Sequence, residues 1–340
     1  MHRVEYVIRR LLTSIFVLIG VSIITFALAR VVPSNPAALF IGPKARAEDI
    51  ARVTVELGLD KSLPEQYLVY MRNLLKGDLG RSISTKRPVL QELSSRLPAT
   101  LELLFTGMVL AVIVGVPMGV VSARWQGRPT DVFVRTFSII GVSIPAFYLG
   151  LLLQILFFRE LDWLPLAGRF SNELRFTNPI EPITKFLFVD ALIGSNWLAL
   201  KDVTYHLILP AITLAAYPAG LVARMTRAAM LEVLEQDYIR TARAYGIRET
   251  VVVYLYALKN AISPTLTVIG LTVAYALTGT FFVEIIFNWP GLGLFTVHSL
   301  QNIDYPAIMG VTLYGATMYV LINLAVDIIQ AWIDPRVALK

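Results

Sequence analysis

The sequence predicts an all-α polytopic membrane protein with six transmembrane helices and an extracytoplasmic cap. Of 340 residues, 56% are hydrophobic and 16% are charged, whereas soluble domains carry about 25% charged residues. The mean hydropathy is +0.65. Six uncharged apolar runs approach the roughly 20 residues that a membrane helix needs. The predicted spans are Leu11–Ala29, Leu103–Ala123, Thr136–Phe158, Leu207–Ala223, Asn260–Val283 and Tyr305–Val326.

The first predicted span resembles a cleaved signal peptide, because Arg3, Arg9 and Arg10 precede an apolar run. That run is longer than a signal's apolar region of about 7–15 residues, and no small-residue cleavage site ends it. We therefore predict a retained helix and assign residues 1–30 to it and its cytoplasmic residues.

The distribution of basic residues predicts the orientation. Arg124, Arg128 and the Arg-rich connection after the fourth span fall on one side, while the connection between spans five and six contains no Lys or Arg. Because short cytoplasmic loops retain positive charge, both termini are predicted to be cytoplasmic. The run Ile285–Ile303 is uncharged too, but its Pro and Gly residues would break a lipid-exposed helix, so we exclude it as a span.

Two long segments are predicted outside. Residues 31–96 form a cap segment in which a helix starts at Pro64 and turn residues occupy Lys76–Arg81. Residues 97–340 form the core with five spans, and residues 159–205 are its ordered second external loop.

Several chemistries are absent from the sequence. There is no Cys, and His2, His206 and His298 are scattered, so we expect no disulfide and no metal site. No phosphate-binding loop, His-Glu-x-x-His or Gly-x-Ser-x-Gly motif occurs, so the chain is predicted to be neither an enzyme nor an ATP-binding subunit. The net charge of +6 is attributed to cytoplasmic Lys and Arg, not to nucleic-acid binding.

A polar, basic stretch between two apolar runs predicts a structured cytoplasmic loop over residues 228–259. It contains Asp237–Gly246, and Tyr256–Pro264 follows. Ala242 and Ala244 are small enough for close approach, and Gly246 permits a sharp turn after a short helix. The alternative is that its basic residues only hold the topology.

This stretch resembles the EAA loop of ABC importer permeases, and collinear motifs extend the likeness over nearly the whole chain. Arg240-Thr241-Ala242 stands where the general pattern has Glu-Ala-Ala, as is common in peptide-type permeases. The chain is similar to the B-type permease of the heterodimeric dipeptide/oligopeptide ABC importers. The other motifs are Arg9-Arg10-Leu11, Val32–Pro36, Leu57–Asp60, Gly77–Gly80, Arg96–Glu102, Leu164-Pro165, His206–Pro210, Ala223–Arg227, Phe287–Gly293 with Glu284, Asp304–Pro306 and Asp334–Arg336.

The resemblance implies a type I ABC importer permease fold in a prokaryotic cell membrane. It also implies a second permease subunit, two ATPase subunits that hold ATP and Mg, and an extracytoplasmic solute-binding protein that delivers short peptides. No cofactor is expected on this chain. The residues expected to dock on the ATPase are Asp237, Tyr238, Arg240, Thr241, Ala242, Arg243 and Gly246.

Two further groups of residues are candidates for the transport path. The first, a candidate external gate, comprises Glu284, Trp289, Pro290, Gly291 and Gly293; the alternative is an interfacial turn with Trp289 in the aromatic belt. The second, a candidate path lining, comprises Ser143, Gln154, Thr278 and Asn323. The alternative for these four is hydrogen bonding between helices.

The substrate and the class of transporter have alternatives. The same architecture imports oligosaccharides or nickel chelates in related systems. A secondary transporter is the alternative from a different class, and a channel-forming or anchoring scaffold is another. The absence of a carboxylate or Lys relay in mid-span argues against proton-coupled transport.

Overall fold

The computed structural model describes residues 2–31, 46–56 and 60–333, and this part of the chain is helical without named strands. π-Helical segments cover Gln154–Glu160 and Val252–Ala257. The α-helices are α1 (His2–Val31), α2 (Ala47–Glu56), α3 (Leu63–Leu75), α4 (Val89–Arg124), α5 (Pro129–Ser143), α6 (Ala146–Leu153), α7 (Asn172–Thr177), α8 (Leu187–Ile193), α9 (Trp197–Leu234), α10 (Asp237–Ala244), α11 (Glu249–Val251), α12 (Leu258–Ile286), α13 (Leu292–Gln301) and α14 (Tyr305–Ile333). The motifs at 32–36 and 334–336, and Leu57–Leu59, lie outside the described residues.

Within the described residues, four helical stretches are long and apolar enough to cross a membrane: Val89–Arg124, Trp197–Leu234, Glu249–Ile286 and Tyr305–Val326. The first predicted span lies within α1, whose apolar stretch Leu12–Ala27 is shorter. The excluded run Ile285–Ile303 is broken between α12 and α13, as predicted. The all-α polytopic membrane class is therefore confirmed.

The third predicted span, Thr136–Phe158, is wrong as a single straight helix. It consists of α5 and α6 with its π-helical extension, and the two parts are bent by 107° at Ile144 and Pro145. Pro145 has no backbone N–H to continue the α5 hydrogen-bond ladder, so the helix ends before it. An uncharged composition does not reveal such a change of direction.

The chain divides into two compact units. The first contains residues 1–4, 98–293 and 322–340, and the second contains residues 5–97 and 294–321. In the first unit, α9 is the central helix, with buried small residues along its length, such as Ala211, Ala215, Ala219 and Ala223. Its neighbours approach closely, since a Cβ added at Gly115 would lie 2.8 Å from the Ala219 carbonyl oxygen.

Contacts along α9 give the directions of its neighbours. Gly107 of α4 faces Leu214 and Gly119 faces Ala223, so α4 runs parallel to α9.

The bent pair runs the other way along α9. Asp131 contacts Arg227, Ser138 faces Gly220 and Gly150 faces Thr213. These partners lie progressively nearer the start of α9, so α5 is antiparallel to α9, and α6 contacts α9 near Thr213.

The second unit joins α1 to the first external segment. The ring centroid of Phe26 on α1 lies 5.3 and 5.8 Å from the ring centroids of Tyr67 and Tyr70 on α3. α3 starts with Ser62 and Glu65 in a capping box and has Pro64 in its first turn, as the sequence predicted. The predicted turn follows it, with Gly77 and Gly80 at φ of +80° and +79°.

The predicted second external loop, residues 159–205, lies within the first unit. α7, α8 and the start of α9 surround a cluster of Phe170, Ala191, Ala199 and Val203. Asp190 accepts hydrogen bonds from the backbone and hydroxyl of Thr184 and from the backbone of Lys185. Residues 159–205 therefore contain two short helices around an apolar cluster, and their place outside the membrane stays a prediction.

Candidate functional site

The basic stretch between α9 and α12 contains a separate short helix, α10, which covers Asp237–Ala244. Gly246 follows at φ +71°, a conformation that costs glycine little. Its N–H donates to the Arg243 carbonyl over 2.9 Å, and the Ile247 N–H donates to the Ala242 carbonyl over 3.2 Å. The predicted short helix and its glycine turn are present.

One face of α10 packs on the chain's own core. Ile239 and Ala242, three residues apart, are buried in a cluster with Met230, Val252 and Val253. The Ala242 side chain faces this cluster and not the surface. Because it is small, α10 can pack closely on the core. Asp237, Tyr238, Arg240, Thr241 and Arg243 form the exposed face.

Polar contacts fix α10 to the following segment. Arg243 makes a two-point ion pair with Glu249 at 3.2 and 2.8 Å, and this hydrogen bonding raises the pKa of the Arg243 guanidinium. Asn260 Nδ2 donates to the Tyr238 hydroxyl at 2.8 Å. Arg240 and Asp237 form only a long, exposed pair at 3.4 Å. The exposed face is therefore held in place and leaves Arg240 available to a partner.

An ion pair that the sequence analysis did not predict lies at the same end of α9. Arg227 contacts both carboxylate oxygens of Asp131, at 2.8 and 3.0 Å. Asp131 also accepts from the Ser122 hydroxyl and from the Gly127 N–H. These bonds tie α9 to the connection between α4 and α5. Arg227 belongs to the Ala223–Arg227 motif, which was the available signal.

The candidate gate residues converge on the Glu284 carboxylate, which is fully buried. Thr100 Oγ1 and the Gly293 N–H donate to it, each at 2.6 Å. The Leu292 N–H donates to Thr100 Oγ1 at 2.8 Å. A Cβ at Gly291 would lie 2.3 Å from Glu284 Oε1, so only glycine fits there without displacing the carboxylate.

Trp289 is also fully buried, and its indole N–H donates to the Ala99 carbonyl at 2.8 Å. The alternative of an exposed interfacial Trp is therefore wrong. Pro290 stands between Trp289 and Gly291, where the chain turns after α12. The motifs Arg96–Glu102 and Phe287–Gly293, far apart in sequence, meet through these bonds, and we call this set the Glu284 network.

A second buried ion pair joins the Glu284 network to the second external loop. Arg169 and Glu102 are in contact at 2.7 Å and both are buried. The other Glu102 oxygen accepts from the Phe188 N–H at 2.8 Å. From the sequence, Glu102 was identified only within the Arg96–Glu102 motif. Arg169 was not predicted, because no local pattern marks it.

The four candidate path residues have different surroundings. Gln154 is buried, and its amide donates to the carbonyls of Leu166 and Ile286 at 2.8 and 3.1 Å, so it joins structural elements. Ser143 and Thr278 are exposed on the chain, and Asn323 is half-buried. Only Ser143 lies at the break between α5 and α6.

In the second unit, Asp304 of the Asp304–Pro306 motif binds the segment that follows the Gly77–Gly80 motif. It accepts from the Ser82 hydroxyl at 2.5 Å and from the Ser84 hydroxyl and N–H at 2.9 and 3.0 Å. Burial alone would raise the pKa of Asp304, but these bonds, with one from the Ile83 N–H, lower it below its ordinary value. Among the described residues, no group of three or more His, Cys, Asp or Glu side chains could hold a metal ion.

The bundle around α9, with its broken span and separate short helix, defines the transmembrane subunit of an ABC transporter. Its fold is similar to a solved chain of the MetNI methionine ABC transporter in inward-facing conformations. The TM-score is 0.53 at 18% identity, covering 72% of this chain and 97% of that chain.

The profile described as "Binding-protein-dependent transport system inner membrane component" matches residues 115–339, and the corresponding N-terminal profile matches residues 3–104. The chain belongs to this family and is a permease of an ABC importer.

Curated relatives are similar over their whole length. A probable D,D-dipeptide transport system permease of Escherichia coli strain K12 is 44% identical, over 95% of this chain and 94% of the relative. A dipeptide transport system permease of Alkalihalophilus pseudofirmus is 43% identical over 98% of each chain. A glutathione transport system permease of Escherichia coli O6:H1 is 40% identical over 99% of each.

Proposed function

We propose that this chain forms half of the translocation path of an importer for short peptides. The observation that carries the substrate class is the group of full-length relatives, whose names specify dipeptides, D,D-dipeptides and glutathione, itself a tripeptide. Oligosaccharides and nickel chelates are the competing substrates, and no feature of the described residues favours them.

The proposed assembly contains a second permease subunit, two ATPase subunits and an extracytoplasmic binding protein. ATP and Mg belong to the ATPase subunits, and this chain is not an enzyme. The membrane is the prokaryotic cell membrane, with both termini cytoplasmic and the cap segment outside. Arg227 and the basic residues on either side of α10 support this orientation.

The exposed face of α10 is the proposed ATPase-docking surface. It presents Asp237, Tyr238, Arg240 and Thr241, and Tyr245 beyond the helix is 83% exposed. Large aromatic and Arg side chains are the usual anchors of protein interfaces. Because Ile239 and Ala242 fix the opposite face to the core, a displacement of the ATPase would be transmitted to α9 and α12. Ala242 and Gly246 therefore contribute by shaping the docking helix.

The residues of the Glu284 network are held rigidly, so they would serve the predicted external gate as a fixed frame and not as its moving part. Glu284, Trp289, Gly291 and Gly293 are locked by hydrogen bonds and close packing. We propose that they hold the outer end of α12, while exposed residues such as Thr278 contact the path.

The test of substrate class is ATPase activity of the purified complex in nanodiscs, with the binding protein loaded from a library of di- and tripeptides. We expect peptide-loaded binding protein to stimulate hydrolysis. Stimulation only by oligosaccharides or nickel chelates would keep the importer and overturn the substrate. An absence of any associated ATPase would overturn the whole assembly.

Docking is tested by Tyr245→Ala, with Phe176→Ala as the matched control. Phe176 is an aromatic residue 88% exposed on α7, far along the chain from α10. We expect Tyr245→Ala to weaken ATPase association or stimulation roughly tenfold, as loss of an interface anchor commonly does. Equal effects of the two substitutions would contradict docking through α10.

A further inference from the structure

The break between α5 and α6 leaves backbone oxygens to which no group in the described part of the chain donates a hydrogen bond. The Ile144 N–H donates to the Ile140 carbonyl at 3.0 Å and closes the last turn of α5. Pro145 cannot donate to Gly141. The N–H groups of Tyr148 and Leu149 donate to the Pro145 carbonyl instead of to α5. Among the described contacts, none reaches the carbonyl oxygens of Gly141, Val142 or Ser143.

The break follows Gly141, which packs on Ala216 of α9. Ala216 is in the middle of the apolar stretch Leu207–Ala223, so the predicted topology places the break at membrane depth. Irregular backbone at this depth occurs only where protein buries it or where it lines a water-filled cavity, because lipid offers no hydrogen bonds. The chain does not bury this break, since Ser143 and Pro145 are exposed. Lipid therefore cannot cover these carbonyls, and either water or the proposed second permease subunit must satisfy them.

Packing on both sides fixes the break in place. A Cβ at Gly141 would lie 2.8 Å from the Ala216 carbonyl oxygen, and one at Gly220 would lie 2.7 Å from the Ser138 carbonyl oxygen. On the other side, Gly150 faces Thr213 and Phe287. Since both arms press against α9, the bend is a built feature and its open side faces away from α9.

We propose that the α5–α6 break lines the aqueous path and that its free carbonyls receive the ammonium group of a passing peptide. The proposal rests on the proposed function and names a site within it. The carboxyl end of a helix carries a partial negative charge, and broken membrane helices bind cations through such carbonyls. An unblocked peptide carries an N-terminal ammonium group whatever its side chains, so backbone acceptors would serve many sequences.

The experiment uses the absence of native Cys. Ser143→Cys is introduced into the full complex in proteoliposomes, with cysteine-free partner subunits. Its reaction rates with a cationic trimethylammonium and an anionic sulfonate methanethiosulfonate are measured. Thr177→Cys, exposed on α7, is the water-exposed reference, and Ser138→Cys, buried on the same α5, is the protected reference.

We expect Ser143→Cys to react with both reagents and Ser138→Cys with neither. The cation-to-anion rate ratio at 143 should exceed the ratio at 177 roughly threefold or more. No reaction at 143 in a complex that still transports would overturn the path assignment. Equal ratios at 143 and 177 would overturn the ammonium site.

A substitute variant and an uptake assay distinguish failure of this proposal from failure of the proposed function. If Ser143→Cys does not assemble, Ile144→Cys reports on the same break. Peptide uptake is measured in the same proteoliposomes before labelling. A wild-type complex that takes up no peptide, while 143 is labelled with cation preference, would overturn the peptide function and leave the cation-selective aqueous site standing.

Discussion

The Glu284 network and α10 were both identified through family motifs, yet they are built in opposite ways. The Glu284 network buries its carboxylate, its Trp and its glycines completely. α10 buries only Ile239 and Ala242 and exposes its charged residues. The motif residues of the Glu284 network pack inside the chain, whereas most of the motif residues of α10 form its exposed surface. The comparison predicts that substitutions in the first region reduce stability and those in the second reduce coupling to a partner.

The largest effect is expected for Glu284→Gln. The amide would place an N–H₂ group near Thr100 or Gly293 and leave a buried donor without its charged acceptor, at a cost of about 3 kcal/mol. Thermal unfolding of the purified chain in detergent measures this loss. Glu160→Gln, at an exposed carboxylate, is the control and should leave the midpoint unchanged. Equal midpoints for both variants would remove the contrast between the two regions.

Gly291→Ala is expected to have the next largest effect, about 2 kcal/mol, because its Cβ would overlap the Glu284 carboxylate. The same substitution at Gly315, in α14, meets nothing within 4 Å. Ala there should be neutral or stabilise the helix by up to about 1 kcal/mol. The unfolding midpoint should therefore fall for Gly291→Ala, whereas it should stay unchanged or rise for Gly315→Ala. A neutral Gly291→Ala would show that the carboxylate has room to shift.

Asp304 extends the comparison to a buried carboxylate in the second unit. Asp304→Asn should cost about 1–2 kcal/mol at neutral pH, since Ser82 and Ser84 lose a charged acceptor. Because folding lowers the pKa of Asp304 below its ordinary 3.8, its contribution is complete above that value and is lost as the pH falls further.

The difference between wild type and Asp304→Asn should therefore shrink below pH 4. Unfolding measured at pH 7 and at successively lower pH tests this, with Glu181→Gln as an exposed control. A difference that grows on acidification would contradict the sign.

The smallest stability effect is expected in α10. Arg243 and Glu249 are each about 40% exposed, at 42% and 43%, so a double-mutant cycle with Ala should give a coupling of about 0.2–1 kcal/mol. The pair should weaken further in high salt. A coupling as large as the loss in Glu284→Gln would show that α10 is part of the stable core and not a surface element.

Much of the fold followed from local chemistry, and the limits of prediction have physical causes. Apolar runs located the spans because crossing lipid requires a minimum apolar length. They did not locate helix ends, since α9 begins at Trp197 and continues to Leu234, where tertiary packing supports polar turns. Pro145 can end a helix, but the 107° angle of the break does not follow from that residue alone.

The sites show the same division. The short helix and Gly246 turn were predicted because their signals are local. The burial of Ala242 follows from its spacing with Ile239, although the sequence alone assigned that small residue to a partner. The pairs Asp131–Arg227 and Glu102–Arg169 join residues 96 and 67 positions apart. No local pattern predicts such pairs.

The length of α9 has a mechanical consequence. Its 38 residues span about 57 Å, from the cluster around Ala199 and Val203 to the one around Ala229 and Met230 beneath α10. A tilt of about 5° around one end would carry the other through about 5 Å, the rise of a single helical turn. A small tilt of this one helix at one face of the permease would therefore displace its end at the other face by about the size of an amino-acid side chain.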